Sequence, residues 1–297
     1  MNTKKNAIVT GGTKNQFPAM AVLALNIADK CPNIADELVI FHDGISEEEK
    51  NKVNKIFPTR FIEYINPFMN NNFSSTVTNY FSVMVFCKYE CFKLLDEYKT
   101  VIWTDYDILI KKDISYIKNF KFGDCKFIKE SFLQTKFKQN LYYNKELQPF
   151  VEEIDFNKKA ISTPIFVLYD SFPQYLNFYN DCIKYTSILA SSLELPEEGI
   201  ISICLNKYNI KIDSLNAQEF VTPPEDFEKC SESANILHAV GQPKFWNGLY
   251  NKEWQSYYNE WIKKYNGNII INHNFSKKIK KIIKFIIPYG LIVHHKK

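Results

Sequence analysis

Residues 101–107 read Val-Ile-Trp-Thr-Asp-Tyr-Asp, an apolar run of strand length that ends in two carboxylates two positions apart. Short continuous apolar runs suit a strand buried on both faces, the habit of parallel sheets. In an open α/β sheet, ligands bind beyond the carboxyl ends of the strands, and Asp105 and Asp107 fall at such an end. Two carboxylates this close repel each other unless a cation lies between them, and hard divalent ions prefer oxygen ligands. A cation held there would neutralise a diphosphate leaving group. An Asp-x-Asp tripeptide also occurs in plain solvated loops; the buried strand in front of it turns the reading toward function.

The flanking sequence places this strand in an alternating pattern. Residues 6–12, Asn-Ala-Ile-Val-Thr-Gly-Gly, read as a buried strand running into a glycine turn, followed by a helical pattern from Phe17 to Lys30. A second strand covers Glu37 to Phe41, and Ser46 before three glutamates is a helix N-cap. Phe61 to Ile65 is a third strand, and the spacing of Val83, Phe86, Cys87, Leu94 and Leu95 predicts a helix from Ser82 to Tyr98. Beyond Asp107, Ile108 to Ile110 stays extended, 131–160 reads as an insertion or cap, and Ile165 to Tyr169 is a strand. Pro173 to Leu189 and Glu198 to Asn206 are helices. Strands separated by helices of 10 to 15 residues indicate an α/β fold with a Rossmann-like, mostly parallel sheet flanked by helices.

The 297 residues allow one sizeable core, and 45% apolar with 24% charged residues is the balance of a folded globular chain. The 15% aromatic content fits codon composition better than an aromatic binding surface. The net charge is +4, and Lys277, Lys278, Lys280, Lys281, Lys284, Lys296 and Lys297 crowd the C-terminus. A nucleic-acid footprint over the whole surface is therefore not expected. Seven cysteines without a Cys-x-x-Cys pair indicate reduced thiols and a cytoplasmic setting. No run is long enough for a signal peptide or approaches the roughly 20 apolar residues of a spanning helix. Ile279, Ile282, Ile283, Ile286 and Ile287 make one helical stripe with lysines opposite. Such a tail either lies on an anionic membrane or docks on the protein's own body; the membrane is favoured. The expected organisation is a catalytic domain over 1–272 and a basic amphipathic tail over 273–297, with the protein cytoplasmic and peripheral at the inner face of the membrane.

A second signal lies far downstream, in His238-Ala-Val-Gly241-Gln-Pro-Lys244-Phe-Trp246. A neutral imidazole is a third ligand for a metal. Gly241 lets backbone approach a phosphate, and Lys244 brings a positive charge to it. A lone histidine is more often structural, and its value here comes from the pair of aspartates.

Asp105-x-Asp107 at a strand end followed by His238-x-x-Gly241-x-x-Lys244-x-Trp246 resembles glycosyltransferase family 8, with Phe41-His-Asp-Gly-Ile-Ser46 adding to the likeness over roughly 6–250. That family comprises retaining enzymes of the GT-A fold, among them bacterial lipopolysaccharide galactosyl- and glucosyltransferases and glycogenin. The resemblance implies that Asp105, Asp107 and His238 bind Mn²⁺ or Mg²⁺. It implies that Gly241 and Lys244 hold the diphosphate, that Lys88 and Tyr106 support the donor, and that Gly11, Thr13 and Asn15 face base and ribose. Glu130 and Ser162 fall near the donor sugar, and Glu198 near the β-face of the anomeric carbon; Glu130 and Glu198 are the catalytic candidates. A glutamate at a helix start is more often a partner for the helix dipole, and that reading of Glu198 stands beside the catalytic one.

The chain departs from the family pattern around the sugar. Thr13 stands where an Asp commonly meets uracil, which leaves UDP less firmly implied than the metal. Lys88 replaces an Arg and loses its bidentate fork. Ser162-Thr163-Pro164 replaces Asn-Ser/Ala-Gly, Glu198 replaces a Gln, and Phe245 a Pro. The resulting expectation is a metal-dependent retaining hexosyltransferase. It would use a nucleotide sugar, UDP-linked by resemblance, and a glycan or glycolipid acceptor of a bacterial surface such as lipopolysaccharide or capsule. The competing readings are a sugar nucleotidyltransferase and a catalytically silent glycan- or lipid-binding scaffold.

Overall fold

The computed structural model describes residues 5–119, 123–133, 155–230 and 232–270. The amphipathic tail and most of the expected cap at 131–160 lie outside the described residues. The chain builds a seven-stranded sheet from β1 (Lys5–Gly12), β2 (Glu37–His42), β3 (Thr59–Glu63), β4 (Tyr98–Thr104), β6 (Cys125–Phe132), β7 (Lys159–Tyr169) and β8 (Ile212–Leu215). Its order is β3-β2-β1-β4-β7-β6-β8. The pairs among β1 to β4 are parallel, β7 runs antiparallel to both β4 and β6, and β8 is parallel to β6. A separate antiparallel pair joins β5 (Ile108–Ile110) to β9 (Ile236–His238).

Alternation of side chains along each strand sorts the apolar residues onto two covered faces. Ala7, Val9, Val39, Val101 and Trp103 enter one core, while Ile8, Leu38, Ile40 and Ile102 enter the other. Helices α3 (Tyr175–Leu189) and α4 (Pro196–Lys207) contribute to the first core. Helices α1 (Phe17–Lys30) and α5 (Lys252–Lys264) cover the second. Helix α2 (Glu47–Asn54) begins with the Ser46–Glu49 capping box that Ser46 predicted.

One expectation changes, and one helix is added. The segment from Ser82 to Tyr98 is not one α-helix: 3₁₀ turns over Val83–Tyr89 and Leu94–Asp96 flank a single α-turn at Glu90–Lys93. Met84, Phe86, Cys87, Lys88, Tyr89, Cys91 and Phe92 are all buried there, so packing on several sides, rather than helix propensity, sets the pitch. Helix α5 is capped by Asn251, whose side-chain oxygen accepts from the Glu253 and Trp254 amides. Trp254 and Trp261, both buried, pin it to the core. Each such indole removes roughly 200 Å² from water, worth about 5 kcal/mol at ~25 cal/mol per Å². Trp261 meets Phe17 edge-on and Trp254 stacks on Phe245, so α5 braces the loop after β9.

Candidate active site

The strands that point the same way as β1 and β4 end on one edge, and a cavity of about 600 Å³ opens there. Gly11, Lys88, Asp105, Tyr106, Asp107, Glu130, Ser162, Glu198, His238, Gly241 and Lys244 all line it. Residues far apart in sequence thus meet in one cavity. Thr13 and Asn15 do not line it; the loop after β1 reaches the cavity through Gly12 and Gln16 instead. Thr13 turns inward on that loop, its amide and hydroxyl both donating to Gln16 Oε1 at 3.0 and 3.1 Å.

Asp105, Asp107 and His238 each offer one ligand atom, all within 4.8 Å of one another. The β5–β9 pairing sets Ile108 opposite His238, and the Ala239 amide donates to the Asp107 carbonyl at 3.0 Å, so the imidazole is delivered beside the aspartates by backbone pairing. His238 Nε2 lies 3.3 Å from Asp107 Oδ1 and 3.9 Å from Asp105 Oδ2. Its buried Nδ1 has no hydrogen-bond partner among the described residues. Two carboxylates and an imidazole converging on one point are the hard donor set that a divalent cation takes, so these residues fit Mn²⁺ or Mg²⁺.

The surrounding charges are arranged around that point. Burial, with repulsion from Asp107, pushes the Asp105 carboxyl above the usual carboxylate range, against the pull of Lys88. Burial acts upward on Asp107 as well, but His238 and Lys244 outweigh it and hold that carboxyl low. Lys244 is ion-paired to Asp107 and donates to the Ala239 carbonyl at 2.7 Å. Gly241 stands at φ +68°, a left-handed conformation that suits glycine. Tyr106 stacks on Trp246 with ring centroids 5.9 Å apart, tying the aspartate turn to the lysine loop. Gly12 makes room for this: a Cβ there would lie 3.0 Å from the Tyr106 ring.

Three features at the site were not read from the sequence. Glu197, only 4% exposed, receives Lys88 Nζ at 2.7 Å, and the same ammonium lies 3.1 Å from Asp105. Burial opposes the charge on Lys88, yet Asp105 and Glu197 overcome it and hold the ammonium firmly protonated. Trp103 donates its indole N–H to Asp105 Oδ1 at 2.9 Å, fixing the carboxylate from behind. Tyr80 and Phe81 form an aromatic wall of the cavity. Glu197 was legible only as a neighbour of Glu198 at a helix start; nothing local in the sequence pairs it with Lys88.

Glu198 sits in the first turn of α4, where Ser162 Oγ donates to its Oε1 at 2.9 Å and the Thr163 amide to the same oxygen at 3.1 Å. Burial, reinforced by Glu197, pushes its carboxyl up to about 7. An acid in that range exchanges its proton near neutral pH, as acid–base and nucleophilic roles require.

The family model for glycosyl transferase family 8 matches residues 7–249. No curated protein matches the chain. Among solved structures, the galactosyltransferase LgtC in complex with donor and acceptor sugar analogues shares the fold at TM-score 0.65 and 12% identity, over 92% of this chain and 99% of that one. The bifunctional glycosyltransferase WbbM in its apo form follows at TM-score 0.62 and 14% identity, over 94% of this chain and 51% of that one. The glycosyltransferase GlyE of Streptococcus pneumoniae TIGR4 gives TM-score 0.54 at 14% identity, over 89% and 64%. At these identities the likeness is one of architecture, and the architecture is the GT-A fold.

Proposed function

The chain belongs to glycosyltransferase family 8, and from that premise we propose that it is a metal-dependent retaining enzyme moving a hexose from a UDP-sugar to a bacterial surface glycan or glycolipid, such as lipopolysaccharide or capsule. The observation that carries the reading is the convergence of Asp105, Asp107 and His238 within 4.8 Å in a cavity that also holds Lys244 and Glu198. A divalent cation bound by these three would neutralise charge on the departing diphosphate. Lys244, at the rim of that cluster, turns from Asp107 to a phosphate oxygen as the nucleotide enters. Gly241 lets the backbone of the same loop come close, and Lys88 keeps Asp105 and Glu197 in place while burying no unpaired charge.

Retention of configuration arises from double displacement or from front-face attack. The pinned carboxylate of Glu198 supports the first: its free oxygen bonds to the anomeric carbon as the diphosphate leaves, and the acceptor hydroxyl, attacking from the face the diphosphate left, then displaces the carboxylate and gives its proton to the diphosphate. Glu130 faces the same cavity and accepts from sugar hydroxyls. In this reading Gly11, Gly12 and Gln16 border the nucleoside end, with Thr13 and Asn15 behind them. No helix among the described residues is long and apolar enough to cross a membrane; the enzyme works in the cytoplasm, and the tail at 273–297 brings it to the anionic inner face where lipid-carried acceptors reside.

The test is a panel of nucleotide sugars with MnCl₂, scored for slow donor hydrolysis, which needs no acceptor. Release of free sugar from a UDP-hexose, abolished by EDTA and by Asp107→Asn, is the expected result. A panel in which no donor is hydrolysed, and in which UDP with Mn²⁺ leaves the melting temperature unchanged, sinks the proposal.

A further inference from the structure

Four consecutive residues of β7 reach across to the two acidic parts of the site. The Ile161 amide donates to Ser202 Oγ at 3.2 Å, one helical turn beyond Glu198 on α4. Ser162 Oγ and the Thr163 amide both donate to Glu198 Oε1. Thr163 Oγ1 donates to Glu197 Oε1 at 2.9 Å and receives Lys88 Nζ at 3.2 Å. The Pro164 carbonyl then accepts the Asp105 amide at 2.8 Å. One strand segment therefore sets the helix that carries both glutamates and the turn that carries the metal-site aspartate.

Within this segment the two donors to Glu198 converge on a single oxygen. Its other oxygen, Oε2, has no hydrogen-bond partner among the described residues, and the side chain lines the cavity. The terminal torsion of a glutamate is broad and roughly two-fold, so two donors on one oxygen restrict which oxygen the cavity meets. A serine hydroxyl has one proton to give, and Ser162 directs it to Glu198. The charged groups that act on Glu198 are Glu197 beside it on α4 and Lys88 from the buried turns of 83–89, and Glu130, Asp105, Asp107, His238 and Lys244 line the same cavity.

We propose that Ser162 is a positioning residue for Glu198, rather than a direct contact to the donor sugar, and that it turns the free carboxylate oxygen toward the reacting carbon. The proposal rests on the reading of Glu198 as the acid at that carbon. The full chain is assayed with MnCl₂ and whichever of UDP-galactose, UDP-glucose and their N-acetylamino forms it hydrolyses fastest. Ser162→Ala is expected to lower kcat by ~10- to 100-fold, the weight of one hydrogen bond to a charged group, with KM within about twofold. The acidic limb of the kcat profile moves to higher pH, because the carboxylate has lost a donor that favoured its charged form. Ser162→Thr restores both quantities, and Ser162→Ala adds nothing in a Glu198→Gln background. A raised KM with unchanged kcat and an unmoved limb overturns the positioning role and leaves the reaction assignment intact. Wild-type turnover in Glu198→Gln, or no hydrolysis of any donor by the wild type, overturns both.

Discussion

Replacing Lys88 by methionine keeps most of the stem's volume and removes the one charge shared by Glu197 and Asp105. In the folded protein this ammonium is 5% exposed, 2.7 Å from Glu197 and 3.1 Å from Asp105, and 5.5 Å from the centroid of the Trp103 ring. Removing one partner of a buried ion pair costs about 3–5 kcal/mol because the other charge stays buried. Asp105 keeps the Trp103 N–H and Glu197 keeps the Thr163 hydroxyl, so each carboxyl is left with one neutral donor and without the ammonium. For a chain of this size each kcal/mol lowers Tm by ~2–4 °C, which places the variant about 10 °C below the wild type at pH 8. The sign with pH follows from linkage. In the variant the Asp105 carboxyl, already raised by burial and by Asp107, loses the Lys88 charge that pulled it down, so it binds a proton more readily folded than unfolded and stability rises as pH falls toward its unfolded value. The deficit should shrink by half or more at pH 5. Manganese should restore part of the loss at pH 8, since it gives Asp105 one cation where the metal-free variant has none. Urea denaturation followed by circular dichroism at both pH values, with and without MnCl₂, measures all three effects; Lys88→Arg, which keeps the charge, should stay within about 1.5 kcal/mol of wild type. A loss under about 1 kcal/mol at pH 8, or an equal loss at pH 5, would show that the ammonium is not what holds these two carboxyls.

Three further outcomes follow from the geometry. His238→Ala should abolish the Mn²⁺-induced stabilisation, which in the wild type reaches about 2.7 kcal/mol at a metal concentration 100 times Kd; calorimetric titration checks it. The Glu198 carboxyl is raised to about 7 by burial and by Glu197, so the folded state binds the extra proton and the metal-free protein loses stability as pH rises from the unfolded value near 4.5 toward 7. Glu198→Gln should flatten that slope and gain up to about 3 kcal/mol at pH 8, at ~1.4 kcal/mol per pH unit and less where solvent screens the group; melts across pH 4.5–8 read it directly. Gly11→Ala would set a Cβ 2.5 Å from Cys87 Sγ and 3.0 Å from Phe41 Cβ. It should cost about 1–3 kcal/mol of stability by overpacking, with Mn²⁺ affinity unchanged, because this glycine is required by the core behind the loop.

Elements with local causes are legible in the chain alone. The apolar runs of β1, β2 and β4, the apolar periodicity of α1, the Ser46 cap, and the two acids closing β4 are each set by neighbours a few residues away, and each stands where it was read. The spacing from His238 to Trp246 was equally legible as a motif, although only the β5–β9 pairing puts the imidazole against Asp107. Strand β6, with Lys126 and Glu130 interrupting it, and the mixed turns of 83–96 had no clean period to read. Tertiary structure alone decided that Lys88 is shared between Asp105 and Glu197, that Trp103 braces Asp105 from behind, and that Ser162 is engaged with Glu198. Those contacts join elements far apart in the chain, through side chains whose local context is unremarkable. Their partners are chosen by which groups a closed core leaves buried and charged together, a condition that exists only once the sheet and its helices have assembled.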